Sequence, residues 1–176
     1  YNITNVALDG EHNNYTCSLA SGGGTNKFQI TEKEVGLTWG NNVFTYNGGN
    51  QVPTATATGL VGEDTCTVNV TGAQKDYSAS AYTATATSLS NTNYKLPATT
   101  TKTFTIAKYN VVISPSLITK EYGYADGTLL NATVNTGILA ETINVTYGRT
   151  SGETVTTYDI NAVTLNGTFN NYTCSL

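Results

Sequence analysis

The side chains that could carry out chemistry are few and thinly spread along the 176 residues. His12 is the only histidine. No serine, cysteine or acid is spaced to pair with it, so nucleophilic catalysis would lack its proton acceptor. Its counterpart in a second copy of the same motif is Phe169, so the local structure does not require an imidazole. Asp9, Glu11, Glu63, Asp64 and Asp126 sit by turns, where carboxylates bind local backbone N–H groups; glycoside cleavage would need two facing carboxylates. No alternating acidic run ends in Glu, as a calcium loop would. Cys17, Cys66 and Cys174 are an odd number without a CxxC pair, which fits neither a disulfide framework nor a four-cysteine zinc site. Cys17 and Cys174 hold the same position of a repeated motif and are copies, not partners. Cys66 keeps phase with Val68 and Val70 and reads as a small buried hydrophobe. No catalytic residue, metal ligand or cofactor is assigned, and an enzyme is not expected.

Two further groups of residues remain as candidates. Lys27 and Lys102 flank phenylalanines at repeat-equivalent positions, and a lysine buried beside an acid or amide can close a covalent cross-link; a solvated strand-end lysine is the simpler reading. Flat aromatic rings can stack on pyranose faces while nearby amides orient the hydroxyls. Trp39, Tyr46 and Tyr122 are the candidates for such a ligand-binding platform. Trp39, however, keeps phase with Val35 and Leu37, which points it toward a core.

The elements that would position these residues are strands. Large apolar residues alternate at Phe28/Ile30, Val35/Leu37/Trp39, Val43 to Tyr46, Tyr82 to Thr87, Phe104/Ile106, Tyr109/Val111/Ile113 and Ile143/Val145/Tyr147. Turn signals separate them: Gly22-Gly23-Gly24, Asn47-Gly48-Gly49, Asp126-Gly127 and Asn166-Gly167. No ten-residue stretch carries a helical apolar stripe, and the strand formers Thr, Val, Tyr and Ile dominate. The expected fold class is all-β, either an Ig-like β-sandwich or a helix-poor β-grasp. Charged residues are only 11% of the chain and hydrophobic ones 39%. That balance suits thin β-modules whose outer face is covered by Thr and Tyr. A net charge of -4 with 8 scattered Lys and Arg excludes a phosphate-binding footprint, so no nucleic-acid partner is expected. No apolar run approaches the roughly 20 residues of a membrane span. The absence of Met and of any leader at Tyr1 reads as an interior fragment.

A repeat organises the chain. Residues 1–19 return as residues 158–176 with 12 of 19 positions identical and no gap. A weaker third copy runs from Tyr82 through Asn93-Tyr94-Lys95-Leu96. The Asn-Tyr landmarks Tyr15, Tyr94 and Tyr172 are 79 and 78 residues apart (94 − 15 and 172 − 94). Lys27-Phe-Gln-Ile-Thr-Glu-Lys33 likewise matches Lys102-Thr-Phe-Thr-Ile-Ala-Lys108. Such a period marks a tandem array of small modules. Residues 1–34 read as the end of one repeat, 35–108 as a complete repeat, and 109–176 as a repeat without its last strand. Open strand edges seek partners, so residues 27–33 are expected to be able to complete the C-terminal module of a neighbouring molecule by strand exchange. The joints, Thr31-Glu32-Lys33-Glu34 and Ala107-Lys108, contain no Gly, Pro or Ser and are short, stiff linkers. At about 3.3 Å per strand residue each module would add about 30–40 Å to a rod.

The residues also resemble a known family. Phe44-Thr-Tyr-Asn-Gly48, Thr54-Ala-Thr-Ala-Thr-Gly-Leu60 and Gly62-Glu-Asp-Thr65 look like the opening of an MBG-type repeat. Tyr82-Thr-Ala-Thr-Ala-Thr87, Asn93-Tyr94 and Phe104-Thr-Ile106 look like its closing strands. Lys120-Glu-Tyr-Gly-Tyr-Ala-Asp126 resembles the Tyr-Gly motif of the sister type, next to the related YDG repeats. It departs at Tyr124 and Gly127, where the sister type more often has Asp and Pro. The resemblance implies a secreted or wall-attached bacterial surface protein of the adhesin kind and carries no catalytic residues. The expected function is a structural stalk whose partners are neighbouring repeats. The alternative is an adhesive module that itself binds glycan or a host surface protein.

Overall fold

The structure is a computed structural model that describes residues 3–11, 14–19 and 27–176. His12 and the turn Gly22-Gly23-Gly24 lie outside the described residues. In chain order the strands are β1 (Lys33–Glu34), β2 (Gly36–Trp39), β3 (Val43–Thr45), β4 (Ala55–Thr58), β5 (Val68–Thr71), β6 (Tyr82–Leu89), β7 (Tyr94–Lys95), β8 (Thr101–Ala107), β9 (Tyr109–Val112), β10 (Asn131–Asn135), β11 (Thr142–Arg149), β12 (Ile160–Leu165) and β13 (Tyr172–Ser175). One 3-10 turn at Gly127–Leu130 is the helical structure among the described residues. The protein is all-β, as the alternation predicts.

Two-residue periodicity builds these strands directly. In β8, Phe104 and Ile106 are each 1% exposed while Thr101, Thr103 and Thr105 face water. In β11, Ile143, Val145 and Tyr147 are buried and alternate with exposed or half-buried neighbours. Ala84 and Ala86 are the buried positions of β6, and their small side chains leave room for the rings of Tyr82 and Phe104, 5.6 Å apart.

From residue 33 to 107, the strands form a four-stranded sheet in the order β3-β8-β6-β5 and a two-stranded sheet of β2 and β4. Leu37 and Ala57 of the small sheet meet Val68 and Leu89 of the large one, with Val35 and Tyr94, in one apolar cluster. Sheet packs on sheet, with no helix between them. A third, parallel pair joins β1 to β7.

From residue 109 onward the arrangement recurs. β9 pairs in parallel with β13, matching Tyr109 to Tyr172 as β1 matches Lys33 to Tyr94. β11 lies between β10 and β12, as β6 receives β5. The difference is at the far edge. β6 is flanked by β8, whereas β12 is the outer strand of its sheet.

The core does not divide at Lys108. Tyr46, Ala84, Phe104 and Ile106 form one continuous cluster with Val111, Ile113, Ile143, Val145, Tyr147 and Tyr172. β8 ends at Ala107 and β9 begins at Tyr109, so the chain crosses between the two halves in nearly unbroken extended conformation.

One strand expectation fails at the N-terminal end. Residues 28–32 form no strand, and Phe28 and Ile30 are 60% and 70% exposed. Residues 3–11 and 14–19 also form no strand, although their sequence recurs in β12 and β13. The physical reason is the neighbourhood: β8 has β3 and β6 beside it, β12 has β11, and β13 has β9. A strand without such neighbours has little stability of its own.

Candidate functional site

Two places gather polar side chains from distant parts of the chain. The first is the joint between the halves. Tyr46 follows β3, and its hydroxyl donates to both oxygens of Glu141, at 2.8 and 3.1 Å. The Tyr172 hydroxyl donates to Glu141 Oε2 at 2.5 Å and lies 3.3 Å from Thr136 Oγ1. The two tyrosine rings meet edge to face, 5.4 Å apart. The carboxylate is thus held by charge-assisted hydrogen bonds. Those bonds, from Tyr172 first and Tyr46 second, lower the Glu141 pKa. Burial, and then the bond to Glu141, raise the pKa of both tyrosines.

The backbone is shaped for this contact. Gly48 has φ +78°, and a Cβ there would come within 2.6 Å of Leu139 Cδ1 and 2.9 Å of Ile138 Cγ2. Leu139 and Ala140 themselves have positive φ, 45° and 60°, a strained conformation for residues with side chains. The strained loop places Glu141 under the two tyrosines. A second contact flanks the first: Asn171 donates from Nδ2 to Asp76 and accepts from the Tyr77 backbone N–H, at 2.9 and 2.8 Å.

The Tyr94 hydroxyl donates to Asp64 Oδ2 at 2.6 Å, a copy of the Tyr172–Glu141 pair. The acid-bearing loops correspond in sequence too: Thr58-Gly59-Leu60-Val61 matches Thr136-Gly137-Ile138-Leu139, 78 residues on (136 − 58). Gly59 and Gly137 share φ near +80°.

The second place is a cleft of about 440 Å³ between residues 115–122 and 152–160. Arg149 grips Asp126 with two parallel bonds, Nε to Oδ2 at 2.8 Å and Nη2 to Oδ1 at 3.0 Å. Lys120 reaches Asp126 at 2.8 Å and Glu153 at 2.6 Å, and Arg149 also meets Glu153 at 2.6 Å. The Arg149 bonds, then those of Lys120, hold the Asp126 carboxyl down at about pKa 2. The two cations and two carboxylates neutralise one another. Apolar residues at the rim stay open, with Leu117, Tyr122 and Val155 more than three-quarters exposed.

The three platform candidates are not brought together. Trp39 is half-buried in β2 against the main core. Tyr46 is 2% exposed, so its ring offers no face to a sugar. Tyr122 is 76% exposed on the cleft wall. Lys27 is exposed, and Lys102 lies half-buried in β8 opposite Ala84. Among the described residues no group of three or more His, Cys, Asp or Glu could hold a metal ion, and no helix is long and apolar enough to cross a membrane.

All three cysteines are free: Cys17 is exposed, and Cys66 and Cys174 are half-buried. Cys66 packs against the Val35–Ala57–Tyr94 cluster. Burial raises the Cys174 thiol pKa, which lowers its reactivity as a thiolate. Alkylation of the native protein at mildly basic pH should label Cys17 first and Cys174 last. A mass-spectrometric time course checks the order, which should vanish in denaturant.

Sequence reasoning missed Glu141 and Arg149. The match between the two Thr-Gly loops was a signal for Glu141; nothing local marks the pairing of Arg149 with Asp126, 23 residues away. Comparison with known proteins finds no matching curated protein and no matching solved structure. A family model does match residues 111–176, that of the MBG domain, YGX type. The Lys120-to-Asp126 stretch within it closes on itself: Lys120 bonds the Tyr124 carbonyl and Asp126 around Gly123, whose φ is +89°. Residues 111–176 are therefore similar to the MBG domain of the YGX type.

Proposed function

We propose that this chain is a non-catalytic spacer from the stalk of an extracellular, adhesin-like bacterial surface protein. In this reading residues 35–108 are one complete module, residues 109–176 a second that lacks its closing strand, and residues 1–34 the end of a preceding one. The observation that carries it is the joint. β8 runs into β9 across Lys108 alone, the two halves share a core, and Tyr46, Glu141 and Tyr172 lock the contact. A shared core resists bending far better than a tether of Gly and Ser. A rigid, repeated unit suits holding something else away from a surface.

The second reading, an adhesive module that takes glycan or a host surface protein, is supported by the cleft with Tyr122 on its wall. Binding of the protein to arrayed glycans, mucins and matrix proteins separates the two, with Tyr122→Ala alongside. The spacer reading expects no saturable binding. Saturable binding that the folded Tyr122→Ala variant loses would replace it with the adhesive reading.

A further inference from the structure

In the central half an apolar strand seals one side of the sheet, and the C-terminal half has a cleft at the same place. β8 lies between β6, antiparallel with Tyr82 opposite Phe104 and Ala84 opposite Lys102, and β3, parallel with Phe44 opposite Ile106. Phe104 and Ile106 sink into the main core. The repeat gives the counterparts of both flanking strands. At the 78-residue interval Tyr82 and Ala84 correspond to Ile160 and Ala162 of β12 (160 − 82 and 162 − 84). The parallel pairs set a second interval: Lys33 against Tyr94 recurs as Tyr109 against Tyr172, 76 residues on for the first strand (109 − 33). That interval carries Phe44 to Lys120 and Tyr46 to Tyr122 (120 − 44 and 122 − 46). Ile160, Lys120 and Tyr122 all line the cleft. The cleft thus stands where β8 stands in the central half.

Both sides of the cleft offer backbone that no strand uses among the described residues. β12 is the outer strand of its sheet, residues 113–120 form no strand, and no backbone–backbone hydrogen bond reaches residues 114–119. The floor is apolar and continuous with the core: Ile118, Leu130 and Ile160 line the cleft and pack, half-buried, against the main cluster. Leu117, Tyr122 and Val155 stay exposed at the rim. A volume of about 440 Å³ lies in the range of ligand-holding clefts. An open strand edge over an apolar floor is a template for an added strand. The Lys120–Asp126–Arg149–Glu153 network is internally neutral, so alternation of apolar side chains, not charge, must select the occupant.

We propose that this cleft is a strand-accepting site and that its occupant is a β8-type segment of a further repeat of this kind: an extended stretch with Phe and Ile two residues apart, Thr between them, and Lys two residues before the Phe. The segment runs antiparallel to β12, with its Phe opposite Ile160 and its Lys opposite Ala162, and parallel to residues 119–121 with its Ile opposite Lys120. Phe and Ile then point to the floor and extend the core as Phe104 and Ile106 do, while the threonines face water. Backbone bonds supply the affinity and the alternate apolar side chains supply the register. This site rests on the modular reading above. Its failure would leave the spacer reading standing, because Tyr46, Glu141 and Tyr172 of the joint do not line the cleft.

The test titrates the full chain into a capped, fluorescent peptide of residues 100–108 and reads anisotropy. Saturable binding is expected below about 1 mM, whereas the peptide carrying Phe104→Asp/Ile106→Asp should not bind. At saturation, hydrogen exchange should slow in β12 and residues 115–120 and stay unchanged in β10. Ile160→Asp in the protein should abolish binding. Leu117→Asp/Val155→Asp should weaken it about tenfold or more; both residues are exposed, so this variant keeps its melting curve and decides the matter if Ile160→Asp does not fold. Absence of saturable binding would overturn the proposal. So would equal binding of the two peptides, or protection at an edge other than β12.

Discussion

Phe104→Ala is expected to lower the unfolding free energy by about 3–5 kcal/mol, the cost of emptying a fully buried aromatic site. Phe104 is 1% exposed, with Phe44 edge to face on one side and Tyr82 on the other. It belongs to the same cluster as Val111 and Ile113, so the cavity opens where the two halves of the protein share a core. Small domains have only about 5–15 kcal/mol of stability in all, and the variant should unfold at a much lower urea concentration. Phe104→Leu, which keeps most of the volume, should cost about 1–1.5 kcal/mol. The repeat supplies an internal control. Phe28 holds the same motif position but is 60% exposed. Phe28→Ala should change stability by about 0.5 kcal/mol or less. Equal losses from the two substitutions would mean that residues 27–32 are packed like β8 within one chain.

That contrast between Phe28 and Phe104 also marks how far the sequence could be read. Strands with bulky alternating residues were legible: Phe104/Ile106 in β8, Val111 in β9, and Ile143/Val145/Tyr147 in β11. β4 was not read as a strand, because Ala55-Thr-Ala-Thr58 has no large apolar residue and its pairing with β2 is a long-range choice. β10, β12 and β13 were missed for a related reason. β10 and β12 carry only half-buried apolar residues, β13 has Tyr172 alone fully buried, and all three pair with β11 or β9. The opposite error occurred at Phe28/Ile30, where the pattern is right but residues 28–32 form no strand. Alternation says which face a strand would bury, but pairing decides whether it forms. Of the candidate site residues, Trp39 kept phase with Val35 and Leu37, and that phase announced its half-buried place, although it packs against the main core and they against the smaller cluster. Tyr46 gave no such warning: its burial depends on a loop 95 residues away. The Arg149–Asp126–Lys120–Glu153 network was illegible for the same reason, since charged residues carry no periodicity that reveals their partners.

Glu141→Ala is expected to cost about 2–3 kcal/mol, because it strips a charged acceptor from two buried hydroxyls at once. Tyr46 is 2% exposed and Glu141 is its acceptor, so that hydroxyl is left unsatisfied; Tyr172 keeps Thr136 at 3.3 Å. Glu141→Gln retains an acceptor without the charge and should cost about 1 kcal/mol. A double-mutant cycle of Tyr46→Phe with Glu141→Gln, read by urea denaturation, should return a coupling of about 1–2 kcal/mol. No coupling would mean that the joint is held by its shared core alone. The pH dependence has a definite sign. The Glu141 pKa is lowered in the folded state, so its contribution is complete above the unfolded carboxylate value of about 4.3 and fades as pH falls through the folded value. Asp126, held at about 2, and Glu153, also lowered, act in the same direction. Wild-type stability should therefore drop on acidification below about pH 4, and the gap between wild type and Glu141→Gln should close over that range. The tyrosines act at the other end. Tyr46 and Tyr172 have raised pKa values, so the stability they confer is complete below about pH 10 and is lost as pH rises beyond it. A carboxylate shared by two buried hydroxyls is intact only between those limits. The stiffness of the joint should follow the same two boundaries.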